Sequence, residues 1–170
     1  SVFYLPRVLI NLLEAGDAIL LRPGVWHEYV DCDALEVYNC CFSADLVRRE
    51  LAWAREDPLL GYLLWTGPFS AQRRGMIATH LDPDTVEEAV GHLEGLRRLR
   101  DQPLSRSRGQ IIGWLSLYLS CVARTVTERD DRRAQELDRV GQRRAVEAER
   151  ALVVGALVAG LVIAAPERTP

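Results

Sequence analysis

The chain has 170 residues, enough for one ordinary domain with an appendage. Apolar residues make up 48% of it and charged residues 26%, the mixture of a globular protein and not of a disordered one. Its 21 basic residues, all arginine, face 24 acidic ones for a formal charge of −3. Neither side of a division at Val126 is net positive, which speaks against a surface built to neutralise nucleic-acid phosphates.

The segment Phe3 to Leu13 has room for one strand. Gly16-Asp17 then makes a turn into the apolar run Ala18 to Leu21, which ends at Pro23-Gly24. Glycine permits the positive φ of a tight turn, and proline sets φ while giving up a ladder donor, so the run between them reads as a strand. Trp26 to Val30 and Leu35 to Phe42 read as two more, with a turn over Asp31 to Asp33. Spacing this short predicts antiparallel hairpins, because parallel pairing needs long crossovers. Alternation puts His27 and Tyr29 on one face of their strand. On the next strand Glu36, Tyr38, Cys40 and Phe42 oppose Val37, Asn39 and Cys41, and the pattern leaves open which set looks inward.

Ser43 suits an N-cap and predicts a helix over Ala44 to Arg55, ended by Pro58. A second apolar run, Leu59 to Trp65, stops at Thr66-Gly67-Pro68, and Gly75 to Leu81 reads as a further strand. Asp82-Pro83-Asp84 opens a helix cleanly: Asp82 caps, Pro83 loses no bond at the first helical position, and Asp84 meets the positive end of the dipole. Val86, Val90, Leu93 and Leu96 follow at helical spacing, with His92 expected at the solvent face. A loop over Gln102 to Arg108 leads to a helix from about Gln110 to Thr127. Ile111, Leu115, Leu119, Val122 and Val126 form one apolar stripe on it, and Trp114, Tyr118 and Cys121 another. Two stripes need two covers: one packs on Val90 and Leu93, and the other needs the sheet or a second subunit.

Glu128 to Arg150, dense in mixed charge, predicts an exposed helix. Ala151 to Ala165 is uncharged; as a helix it spans about 22 Å, short of the roughly 30 Å hydrocarbon core. A buried or oligomerising helix, or an extension read in another frame, is expected there, and membrane contact is not. No basic-then-apolar leader precedes the first strand, and the expected compartment is reducing cytoplasm. Cys32, Cys40, Cys41 and Cys121 form no C-x-x-C pair and read as small apolar residues, without zinc.

Gly16 to His27 resembles the second motif of cupins: a glycine, five residues, Pro-x-Gly, two residues and a histidine. Gly16, Gly24 and His27 fall in place, while Arg22 stands at the first proline position with Pro23 after it. The continuation through Leu35-Glu-Val-Tyr-Asn39, Phe42 and an amphipathic helix is similar to the ligand-sensing N-terminal domain of AraC-type bacterial transcription regulators. So is His80-Leu81-Asp82-Pro83 ahead of two long helices, and the likeness runs from about Gly16 to Val126. The first cupin motif has no counterpart in the fifteen residues before Gly16, and no helix-turn-helix pattern follows Val126. The resemblance therefore implies a member truncated at both ends.

The resulting expectation is an α+β chain: a partial antiparallel cupin-like β-barrel at 1–81, a dimerising helical hairpin at 82–127, and a C-terminal helical tail at 128–170. Its function is expected to be effector binding and homodimerisation, without catalysis, cofactor or metal, and without direct nucleic-acid binding. His27, Tyr29 and Tyr38 are the candidate contacts to a small, sugar- or metabolite-sized effector, and Ile111, Leu115, Leu119 and Val122 the candidate dimer contacts. His80 and His92 lie on other elements than His27, which leaves too few ligands for a metal. The alternatives are a free-standing cupin-like binding protein and a degenerate metal-cupin enzyme.

Overall fold

Gly16 turns the chain at φ +102, where a Cβ would lie 2.6 Å from the Leu81 carbonyl oxygen, so glycine is required. Asp17 ties the turn, its amide donating to Glu14 O at 3.0 Å and its carboxylate accepting from Glu14 N at 3.0 Å. The computed structural model describes residues 7–11, 14–22, 25–30, 35–69, 75–126 and 159–166. They form a mixed α and β protein. The strands are β1 (Arg7–Asn11), β2 (Asp17–Leu21), β3 (Trp26–Val30), β4 (Leu35–Phe42), β5 (Met76–His80) and β6 (Ala159–Pro166). The helices are α1 (Ala44–Glu50), α2 (Pro58–Gly61, continued by wider and tighter turns to Phe69), α3 (Pro83–Arg98) and α4 (Leu104–Ala123), with a tight helical turn at Ala52–Arg55 after α1.

The predicted strands are present, but their pairing corrects the hairpin expectation. β2 pairs antiparallel with β5, from Asp17 opposite His80 to Leu21 opposite Met76. β3 pairs with β1 in parallel, His27 opposite Val8 and Tyr29 opposite Ile10. The four-stranded antiparallel sheet has the order β4-β6-β2-β5, and no closed barrel exists among the described residues. Short spacing limits which strands can turn directly into one another; it does not oblige neighbours in sequence to pair when a distant strand offers a better edge.

β6 is that distant strand, and it overturns the helical tail over its span. It lies between β4 and β2, with Cys40 and Leu20 both opposite Leu161. An uncharged run shorter than a long helix carries no decisive period. Here Val162 and Ile163, stiff at χ1, suit a pleated surface, and two strand edges with unpaired backbone groups supply the driving force. The expected charged helix at 128–150 and the first part of the apolar run, 151–158, lie outside the described residues.

Side chains of β4 choose their face. Val37, Asn39 and Cys41 are exposed, whereas Tyr38 and Cys40 are half-buried and Phe42 is buried. Phe42 joins Ala18, Leu20 and Ile77 of the sheet in one core with Val47, Leu51, Leu60 and Leu63. Val86, Val90 and Leu93 of α3, and Leu115, Tyr118, Leu119 and Val122 of α4, complete it. Ile19, Leu21, Met76 and Ala78 alternate to the other face and are buried too.

Local capping reads as predicted for α1 and α3. The Ser43 side chain accepts from Leu46 N at 3.0 Å, and Asp82 accepts from Thr85 N at 2.9 Å with Pro83 in the first turn. α4 starts earlier than expected, because Pro103 needs no N–H at a helix start and its carbonyl accepts from the Ser107 amide and hydroxyl. Gly95 of α3 is buried beneath Trp114 of α4, the approach that binds the hairpin together. His92 is not at the solvent face: its side chain is 16% exposed and its ring lies 5.7 Å from that of Trp114. No helix among the described residues is long and apolar enough to cross a membrane.

Candidate functional site

The end of β2 is built around Arg22. Its amide donates to Gly75 O at 2.9 Å, and Gly75 sits at φ +88. A Cβ on Gly75 would lie 2.5 Å from Arg22 Nε and 2.6 Å from Val25 Cγ2, so glycine leaves the lane along which the arginine runs. The guanidinium comes to rest 6.0 Å from the centre of the Phe69 ring, within cation–π range.

Beside it opens a cavity of about 430 Å³, within the range of small-molecule pockets. Leu20, Leu21 and Phe42 contribute from the sheet, and Ala44, Val47 and Arg48 from α1 and its start. Ala52 and Arg55 of the following turn form another part, and Leu64, Trp65, Pro68 and Phe69 the far wall. The helical segment is there because Asp57 caps α2, accepting from Leu59 N and Leu60 N at 2.9 Å, and because Leu60 and Leu63 anchor it in the core.

Three arginines, Arg22, Arg48 and Arg55, line this cavity, and no carboxylate is among its described lining residues. Arg55 lies 6.0 Å above the Trp65 ring. Arg48 has Asp45 at 3.7 Å, but Asp45 holds Arg49 more closely at 3.1 Å. Arginine does not give up its proton in proteins, so these groups donate hydrogen bonds and attract negative charge without acting as bases. The described lining contains no serine, cysteine, histidine, aspartate or glutamate to serve as nucleophile or general base. What the arrangement offers chemically is a mainly apolar space with arginine side chains among its lining.

Of the candidate ligand contacts, Tyr38 is not among the described lining of this cavity. Tyr38 packs against the core and its hydroxyl donates to Glu94 Oε1 of α3 at 3.4 Å, which ties β4 to the hairpin. His27 and Tyr29 stand on β3, paired with β1; their side chains lie outside the described residues. Of the expected dimer contacts, Leu115, Leu119 and Val122 are buried within the chain's own core, and Ile111 is half-buried. The face of α4 that remains open carries Gly109, Gly113 and Leu117, the last 52% exposed. Cavity residues Arg22, Arg48, Arg55, Trp65 and Phe69 were missed. Only Arg22 left a trace in the sequence, as the arginine standing at the motif's first proline position.

His80 Nδ1 bonds Asp17 Oδ1 at 3.0 Å, an exposed imidazole on a buried carboxylate. The neighbouring Thr79 hydroxyl is turned away to Thr125 O at 3.0 Å. Among the described residues no group of three or more histidine, cysteine and carboxylate side chains is gathered to hold a metal. No protein-family model, no curated protein and no solved structure matches the chain.

Proposed function

We propose that the chain is an effector-binding and dimerisation unit of the AraC type, which binds a small molecule and acts on DNA only through a partner domain. The observation that carries this reading is the cavity between the end of the sheet and α1–α2, with the helical hairpin behind it. α2 also contacts α4, so a ligand that shifts Leu64 or Trp65 bears on an element packed against the hairpin. Ligand energy shifts a two-state element only through such differential contact. The unit is non-enzymatic and cytoplasmic in this reading, and it is a homodimer. Its contact moves from the buried stripe of α4 to the exposed strip of Gly109, Gly113 and Leu117, where among the described residues no atom lies within 4 Å of a Cβ built on either glycine.

Light scattering on the purified chain tests the assembly. A dimer that Leu117→Arg splits, with the thermal midpoint kept, supports the reading; a monomer at micromolar concentration refutes it. A free-standing binding protein would use the same cavity, and effector-dependent change in the dimer's dissociation constant separates the two. Ala52→Trp, an exposed rim residue enlarged to fill the cavity, should remove the effector's stabilisation of the fold.

A further inference from the structure

We infer that the ligand of the cavity is an organic carboxylate with an apolar, aromatic body, and not a polyol. The inference rests on the reading of this cavity as the effector site and gives that effector a chemical class.

Charge comes first. Three arginines line the space, and among the described residues neither Arg22 nor Arg55 has a carboxylate within 4 Å. Arg48 is left nearly as free, since Asp45 is shared and both partners are exposed, the setting in which an ion pair is weak. Like charges gathered around an apolar space repel one another, and an entering anion relieves that repulsion while the guanidinium fork matches a carboxylate edge to edge. Arg22 is held for this role by the open lane at Gly75 and by the Phe69 ring.

Shape and polarity come second. Leu20, Phe42, Val47, Leu64 and Trp65 offer hydrocarbon and aromatic faces, against which a flat ring buries well. A sugar brings hydroxyls on every side, each costly to bury without a partner. The described side chains here supply donors, at the arginines and at the Trp65 indole, and no acceptor to receive a sugar's hydroxyl protons.

Calorimetric titration of the whole chain with 2-naphthoate, 2-naphthol and glucose tests this. 2-Naphthoate should bind at least about tenfold more tightly than 2-naphthol, and added salt should erode that advantage. Arg48→Gln with Arg55→Gln, both on exposed side chains, should abolish the advantage of the acid over the alcohol; Arg22→Gln should act in the same direction. Equal binding of the acid and the alcohol, or an advantage that survives loss of the arginines, overturns the anionic class and leaves the cavity standing as the effector site. Binding of glucose alone, untouched by Ala52→Trp, overturns both.

Discussion

Two glycines one turn apart on α3 differ only in what faces them, and this contrast tests the helical hairpin. Gly91 is exposed, and nothing lies within 4 Å of a Cβ built on it. Replacing it by alanine removes the entropy penalty of a mid-helix glycine and should stabilise the fold by about 0.5–1 kcal/mol. At Gly95 the same gain is opposed, because the added Cβ falls 2.7 Å from Trp114 Cδ2 and Cε2 and 3.1 Å from Cε3. Carbon atoms settle at about 3.5–4.0 Å, so the indole must retreat by roughly 1 Å. His92 stands against that ring at 5.7 Å, and the retreat disturbs the packing behind it. Overpacking of this kind costs about 1–3 kcal/mol, and subtracting the helix gain leaves Gly95→Ala less stable than wild type by up to about 2.5 kcal/mol. Urea denaturation followed by circular dichroism reads both as a shift in midpoint at constant slope. Heating should separate the two variants by roughly 2–12 °C at about 2–4 °C per kcal/mol for a chain of this size. Trp114→Leu in the Gly95→Ala background should recover part of the loss, a coupling that distant sites do not show. If Gly95→Ala proves as stabilising as Gly91→Ala, α4 does not lie on α3 through Trp114, and the hairpin described above is wrong.

Tyr118 is fully buried, and its hydroxyl has no hydrogen-bond partner among the described residues. Tyr118→Phe should therefore hold or raise stability, by up to about 1 kcal/mol, and a loss of that size instead would place a partner on the hydroxyl. Asp82 accepts from the Thr85 amide and then from its hydroxyl, and both hold its carboxyl below the ordinary 3.8. A depressed carboxyl stabilises above its unfolded value and loses that effect as pH falls through the folded one, so Asp82→Ala should lower the denaturation midpoint at neutral pH, with the gap to wild type closing on acidification below about pH 4. A constant gap would remove the charge from the cap. Burial, with Cys41 adding to it, pushes the Cys40 thiol up to about 12, which at pH 8 leaves about one thiolate in ten thousand. Iodoacetamide on the native protein should mark exposed Cys41 well before Cys40 in tandem mass spectra, and equal labelling would put Cys40 outside the core.

Features that depend on a few consecutive residues were legible in the sequence. Asp82-Pro83 starts α3, Ser43 caps α1, Gly16 turns the chain into β2, and Met76 to His80 is a strand, because each is settled by φ preference or by a side chain reaching its own backbone. β4 shows where such reading stops. Its alternation was plain, but only the core formed by Leu20, Phe42 and the hairpin decides that Tyr38 and Cys40 look inward. The stripe Leu115, Leu119 and Val122 was equally plain as an apolar face, and the same core turned it inward, away from a second subunit.

What the amino-acid order determined by itself is therefore the set of elements and their polar and apolar faces. Tertiary structure decided which faces meet: it put β6 between β2 and β4, set β3 beside β1, and brought Arg22, Arg48 and Arg55 from three separate segments to one cavity. The physical reason is range. Caps, turns and periodicity are satisfied within a few residues, whereas strand edges and apolar faces accept any complementary partner the chain can deliver, and the choice among them is made by burial of the whole.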